Sequence, residues 1–560
     1  MKLKKQFILG IAISFVVATV VFFIASTGYM DRLEFFTSDI FFRIRRPLTS
    51  KQPIIIIEIT DYDVEKIGRW PWKRSWHAAM AKVLSDLGAK VVYYDVIFSE
   101  PSDEKDDALF EEAIKTTNKV YLPYVFPGRP YDINNTLLPI KRFSSNVKGM
   151  GAMNVFPDRD GTIRVIPLIF TGNDGTYSHI ALKIVMDCKG LEIKKIAPDR
   201  LILSNKETEE NIEIPLMSDN GLCINWTGKW IKSFQHYSFI DVLAAYHDYL
   251  EDKPTDIDLK NFNGAICLVG ITGFGLFDIK PVPLEPEYPG IGIIANALDT
   301  LMDENYIHIP PVWMDILLLY FLALLPAFLI RGKNPFKETV FVFLVGVCYF
   351  GVAFFLFLKG LRIQIFYPLF GLFLSYVIVA TYNFVRMAVE KQDLFSISIT
   401  DGLTGLCNIR YFKMLLETEI KMSRSGMSSG FVIVLTDIDH FKKFNDTYGH
   451  QVGDYILREV SNTLKMSVRA TDIVARYGGE EMVLLLKNIS FAYGMEVTEK
   501  MRTNIEENNF FDGKQNYSVT LTFGVASYMP DDTVDSIIKR ADEGLYKGKE
   551  SGRNRVATVQ

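Results

Sequence analysis

Three acidic residues carry the strongest chemical signal in this sequence of 560 residues: Asp437 and the adjacent pair Glu480 and Glu481. Asp437 follows an apolar run, residues 431–435, that reads as a buried strand. The pair follows Gly478 and Gly479, between two further strand-like runs at 473–477 and 482–486. Gly-Gly between such runs signals a hairpin, so two carboxylates stand at a hairpin tip near the end of a neighbouring strand. Mg²⁺ prefers oxygen ligands and is often held by one or two carboxylates plus substrate phosphates. Two residues without side chains let the backbone approach a polyphosphate closely. The pattern points to metal-assisted phosphoryl or nucleotidyl transfer. Its plain alternative is a solvated acidic turn.

The flanking residues extend the pattern. Arg476-Tyr477-Gly478-Gly479-Glu480-Glu481-Met482 is preceded by Asp401-Gly402-Leu403-Thr404-Gly405-Leu406, by Asp437-Ile438-Asp439-His440-Phe441-Lys442 with Asn445-Asp446, and by Gly449-His450 with Gly453-Asp454. Ala541-Asp542, Leu545-Tyr546, Lys549 and Gly552-Arg553-Asn554-Arg555 follow it. In this order, over residues 395–560, the set resembles the GGDEF family of diguanylate cyclases. The resemblance implies a palm-like α/β nucleotidyl cyclase domain that joins two GTP into cyclic di-GMP and releases pyrophosphate. It implies Mg²⁺, with Mn²⁺ as an alternative, at Asp437, the carbonyl of Ile438 and Glu480. Glu480 matches the general base and Glu481 the second catalytic acid. Asn445 and Asp454 match the guanine readers; Lys442, Lys549 and Arg553, with Gly478 and Gly479, match the triphosphate contacts. Asn and Asp can pair with the guanine edge, and cations balance the phosphates. Arg469 and Asp472 match an inhibitory site for the product, where a guanidinium suits both guanine and phosphate; the plain alternative is a surface ion pair. Two positions depart from the family pattern: Met482 for an aromatic, and Gly548 for Ala. One GTP per domain implies a homodimer with two-fold symmetry.

The elements upstream of this domain are membrane elements. Residues 7–30 carry no charge and follow Lys2, Lys4 and Lys5. A span needs about 20 apolar residues, and a cleavable signal, the rival reading, usually has a shorter apolar region. Three more uncharged runs, 316–330, 339–358 and 363–385, are joined by short connections. Lysines and arginines near span ends favour the cytoplasm: Lys2, Lys4 and Lys5, then Arg331, Lys333 and Lys337, then Arg386 and Lys391. Lys359 and Arg362 disagree, falling in a loop assigned to the outside. The expected layout is a first span at 1–28, an extracytoplasmic α/β domain at 29–310, three spans at 311–385, a coupling segment at 386–400 and the cyclase-like domain at 401–560. The expected location is a bacterial cytoplasmic (inner) membrane, with contact to the lipid bilayer.

Within 29–310, a helical segment at 31–46 ends at Pro47, and the run 54–59 reads as a buried strand. A helix near 75–87 and a strand at 91–94 ending in Asp95 complete a β-α-β reading. Asn154 to Gly161, Arg164, Pro167, the strand 265–269 with Gly270 to Gly273, and Asp278, Pro281, Pro283, Pro289, Gly290 and Asn296 follow. Together these markers resemble the second class of CHASE-type extracytoplasmic sensor domains. Asp61, Trp70, Asp95 and Asp278 could line a ligand site; the preferred reading makes the tryptophans core and the aspartates caps. Of three cysteines here, Cys188, Cys223 and Cys267, at most two can pair internally.

Composition bounds the alternatives. There are 61 Lys+Arg against 66 Asp+Glu and 49% hydrophobic residues, with a mean hydropathy of +0.13. A disordered chain is excluded, and no basic surface supports a nucleic-acid partner. The leading reading is a transmembrane sensor enzyme making cyclic di-GMP under extracytoplasmic control. Its competitors are a catalytically silent receptor for GTP or cyclic di-GMP, and an enzyme making a hybrid cyclic dinucleotide. The extracytoplasmic ligand is not legible.

Overall fold

The computed structural model describes residues 2–128, 131–172, 175–205, 207–273, 278–329 and 334–559. The chain divides into two compact units, Met1–Asn383 and Phe384–Gln560. The fold is mixed α/β, and among the described residues four helices are long and apolar enough to cross a membrane: Phe7–Thr27, Val312–Leu329, Pro335–Leu358 and Phe366–Val389.

In the N-terminal unit, a sheet of six strands runs in the order Gln235–Ser238, Ile54–Ile59, Ile266–Ile271, Val91–Tyr94, Val120–Tyr124, Gly149–Ala152. All its pairings are parallel. A parallel sheet is covered on both faces, which is why the isoleucines of the first strand run without polar alternation. Ile54 and Ile56 face one core with Val91 and Tyr93; Ile55, Ile57 and Ile59 face the other with Val92 and Tyr94. The β-α-β reading holds, with one further strand inserted. Ile54–Ile59 and Val91–Tyr94 are not neighbours, because Ile266–Ile271 lies between them and pairs with both. A partner some 170 residues downstream leaves no local mark on the sequence. Cys188, Cys223 and Cys267 are all free.

The apolar helices are tied to one another by small polar groups. Ser14 and Ser375 hydroxyls lie 2.7 Å apart, and Thr19 and Tyr320 2.9 Å. The helix Asp31–Ile44 joins the spans to the α/β domain. Its buried Glu34 carboxylate accepts the backbone N–H groups of Ile365 and Phe366 at 2.9 Å each, just where the last long helix begins. Its Phe41 ring packs among Phe350, Phe354 and Phe357. Arg362, anomalous as an outside charge, acts here electrostatically on Glu34 and Asp158, and its backbone N–H bonds His308. It is a structural cation of this junction. Of the other charges used for orientation, Arg331 and Lys333 lie outside the described residues. The last helix continues as Phe366–Ile399, so the segment from Arg386 onward is helical.

In the C-terminal unit, six strands run in the order Cys407–Asn408, Ile473–Gly478, Glu481–Lys487, Phe431–Ile438, Leu521–Ser527, Val556–Ala557. The four central strands are antiparallel. Val432 and Val434 face one core with the helices His450–Met466 and Phe491–Glu506. Ile433 and Leu435 face a second core with Ile409–Arg424 and Val534–Glu550. Burial on both sides explains the continuous apolar run at 431–435.

Candidate active site

The strand Phe431–Ile438 extends past the apolar run, so Asp437 lies within it rather than beyond it. The register places Asp437 directly opposite Glu481. Like charges facing each other across a sheet are unfavourable. Burial is the main cause raising both carboxyl groups above their ordinary range; Glu480 adds repulsion to each, and Asp437 itself adds to Glu481. Lys549 is set against this: its Nζ lies 2.9 Å from Asp437 Oδ2 and opposes the rise. Asp542, given no role from the sequence, also acts on Glu481.

The tip is fixed from outside. Arg476 donates through Nε and Nη2 to the Gly479 carbonyl at 2.9 and 2.7 Å, and through Nη1 to Asp401 at 3.1 Å. Gly479 has φ +55°, a left-handed conformation that glycine adopts without penalty. Asp401 also accepts from the Thr404 N–H and hydroxyl. Arg476 and Asp401 thus clamp the tip, a role their places in the sequence do not mark. Asp439, two residues after Asp437, is spent on structure: it accepts from Thr520, Thr522 and the Asn554 N–H. His440 then takes φ 59°, turning the chain sharply into the helix Phe441–Tyr448.

Among the described residues no three His, Cys, Asp or Glu side chains form a metal cage. The set expected here is different: two carboxylates and a backbone carbonyl, with phosphate oxygens completing the shell. An acidic cluster that already draws one ammonium group to Asp437 suits a divalent cation in charge and donor type.

The expected base reader has an open valence. Among the described residues, the buried Asn445 Oδ1 has no hydrogen-bond partner. A Cβ at Gly453 would lie 1.8 Å from that oxygen, so the next helix can pass Asn445 only with glycine there. Asp454 and Lys442 are exposed; Arg553 is half-buried. Met482 is fully buried in the core, its sulfur 3.9 Å from the Ser461 hydroxyl. At Gly548 a Cβ would lie 2.6 Å from Thr522 Cγ2, so this departure is matched to its neighbour. Arg469 and Asp472 do not form an ion pair with each other among the described residues. Asp472 accepts the backbone N–H groups of Arg469 and Lys487 at 3.0 Å, and the exposed Arg469 guanidinium lies over the Tyr493 ring.

Of the four residues that could line an outside ligand site, Asp278 lies close enough to Asp95 to raise its carboxyl further, and Asp61 lies against Gly273 at the end of the strand Ile266–Ile271. Asp61 opens the helix Asp61–Ile67. Trp70 packs on Trp72 and His77. Asp95 accepts from the Tyr93 hydroxyl at 2.8 Å, and Asp278 pairs with Lys280.

Comparison with known proteins fits both halves of this description. Residues 16–328 match the CHASE2 domain family, and the chain belongs to it. Residues 398–555 match the family described as diguanylate cyclase, GGDEF domain. Diguanylate cyclase A of Treponema denticola is 40% identical over 178 residues, covering 31% of this chain and 48% of that protein. The response regulator PleD of Caulobacter vibrioides is 40% identical over 163 residues, covering 29% and 36%. The chain thus spans less than half the length of these relatives. The crystal structure of the coiled coil and GGDEF domain of DgcB from Caulobacter crescentus, in complex with c-di-GMP, is 28% identical with a TM-score of 0.32, covering 33% of this chain and 97% of that one.

Proposed function

We propose that the chain is a membrane-bound diguanylate cyclase whose output is set by a signal at its N-terminal α/β domain. The observation that carries the reading is the cross-strand pair Asp437 and Glu481, with Glu480 beside it, held at the strand end with one lysine to balance them. An assembly short of positive charge is suited to a polyphosphate that arrives with its cation.

Asp437, the Ile438 carbonyl and Glu480 would hold Mg²⁺ or Mn²⁺, which supplies charge neutralisation at the phosphates. Glu480 takes the proton from the 3′-hydroxyl of one GTP. That oxygen bonds to the α-phosphorus of the other GTP as the bond to pyrophosphate breaks. A second such step closes the ring. Lys549, Lys442 and Arg553 receive the triphosphate, and Gly478 and Gly479 let it lie against the backbone. Asn445, with its buried oxygen unsatisfied, and Asp454 read the guanine. Two chains meet about a two-fold axis, each presenting one nucleotide. Arg469 and Asp472 take cyclic di-GMP as feedback inhibitor.

We place the chain in a bacterial cytoplasmic membrane with 29–310 outside and 401–560 in the cytoplasm, and assign 386–400 as the coupling segment. The outside signal acts through its differing affinity for two arrangements of the spans. The test is product analysis after GTP and Mg²⁺ are added to the purified protein, beside a Glu480→Ala control. Cyclic di-GMP from the native protein and none from the control is the expected result. GTP binding without turnover would replace this reading with the silent receptor.

A further inference from the structure

We propose that a cationic cavity in the N-terminal unit, at the end of the helix Asp31–Ile44, is a binding site for a phosphate-type oxyanion. The cavity has a volume of about 770 Å³, and five of its lining residues are Arg43, Arg45, Arg46, Lys229 and Lys232. Asp39 is its one lining carboxylate, and both Asp39 oxygens are taken by Arg164, at 2.8 and 2.7 Å. Among the described residues, none of the five cations has a carboxylate partner. Most basic side chains at a surface need none. Arg45 is different, because it is half-buried and held by neutral groups. It donates to Asn225 Oδ1 at 2.6 Å and to the Trp226 carbonyl, and its guanidinium lies 5.2 Å from the ring centres of both Phe42 and Phe357. Burial lowers its pKa to about 10 with no acidic group opposing the shift. A buried charge without a counter-charge is costly, and an oxyanion in the cavity supplies that charge. Three guanidinium and two ammonium groups are also a donor set that phosphate oxygens accept well.

The position indicates two sources for such an anion. Arg45, Arg46 and Pro47 also line a second cavity of about 460 Å³ with Phe354, Phe357 and Leu358, the last turn of the apolar helix Pro335–Leu358. For a helix crossing a bilayer, its end lies near the lipid headgroups, and an anionic headgroup there offers phosphate oxygens that these cations can pair with. A free phosphate compound from the aqueous side would meet the same five cations. Either occupant would press on the helix Asp31–Ile44, whose Phe41 and Glu34 touch two of the long apolar helices.

The inference rests on reading 29–310 as the sensing part, and its test does not use cyclase turnover. The full chain is placed in nanodiscs of phosphatidylcholine and titrated with inorganic phosphate by calorimetry. In parallel, discs of phosphatidylcholine with phosphatidylglycerol are prepared, and lipid retained by the protein is identified by mass spectrometry. Saturable phosphate binding assigns a free oxyanion; selective retention of phosphatidylglycerol assigns a headgroup. In either case the exposed-charge variant Arg46→Gln/Lys229→Gln/Lys232→Gln should weaken binding about tenfold or more, and Arg45→Lys should weaken it with the fold retained. Failure of native protein to bind either probe, or equal binding by the triple variant, overturns the proposal. A cyclase that is inactive but binds the anion would instead overturn the proposed function alone.

Discussion

At Arg164, all the guanidinium donors are used: Nε and both Nη groups make five hydrogen bonds to Asp39, Asp158 and Asp160, each within 2.9 Å. At Lys549, one ammonium touches one oxygen of Asp437 at 2.9 Å, while Glu480 and Glu481 stand beside it. Both clusters set several carboxylates around a single cation. The first is geometrically closed and holds the helix Asp31–Ile44 to the α/β core. The second is open, with acidic oxygens left to receive something positive. That openness, rather than burial or charge count, is what supports reading the second cluster as a site.

The comparison can be broken first at the open cluster. Glu480→Gln should lower cyclic di-GMP formation by roughly three orders of magnitude while leaving thermal unfolding unchanged, as read by product chromatography and circular dichroism. The closed cluster should answer in the opposite currency. Arg164→Met strands three carboxylates and should cost about 3–5 kcal/mol, seen as a lowered Tm of the purified protein; Lys549→Met should lower Tm far less and instead raise KM for GTP. A smaller effect is expected at Asn445→Ala, about ten- to a hundredfold in kcat/KM for GTP, with weakened preference for GTP over ATP in competition assays.

The smallest effect concerns pH. Burial raises the Asp95 carboxyl from 3.8 to about 6, with the Tyr93 hydroxyl bond opposing it. The folded state therefore binds more protons than the unfolded state between those values, and stability from this group is lost as pH rises through about 6. Asp95→Asn removes that penalty. Its Tm should exceed that of the native protein above pH about 6, by the equivalent of about 1–2 kcal/mol, and match it near pH 4. An equal gain at both pH values would remove burial of the charge as the cause.

The two clusters were also unequally legible. Asp437, Gly478, Gly479, Glu480 and Glu481 stand in short runs whose local order already signals strand ends and a hairpin, and the register then brings them together. Arg164 and Asp39 are 125 residues apart and meet only through the tertiary fold. The same holds for Ile266–Ile271 inserting between the first two strands, and for Arg362, whose acidic neighbours come from three other segments of the chain. Long-range pairing has no local periodicity to betray it. Asn445 lies between these cases: its place in the family pattern implies base recognition, but only the structure shows, among the described residues, its oxygen without a donor.

The central claim is that the open cluster holds a divalent cation with the nucleotide. It is tested most directly by Mn²⁺ titration followed by electron paramagnetic resonance, with a non-hydrolysable GTP analogue and the full chain. The account predicts tight Mn²⁺ binding that is lost in Asp437→Asn and in Glu480→Gln but kept in Asp439→Asn wherever that variant folds. Undiminished Mn²⁺ binding in Asp437→Asn and Glu480→Gln would contradict it.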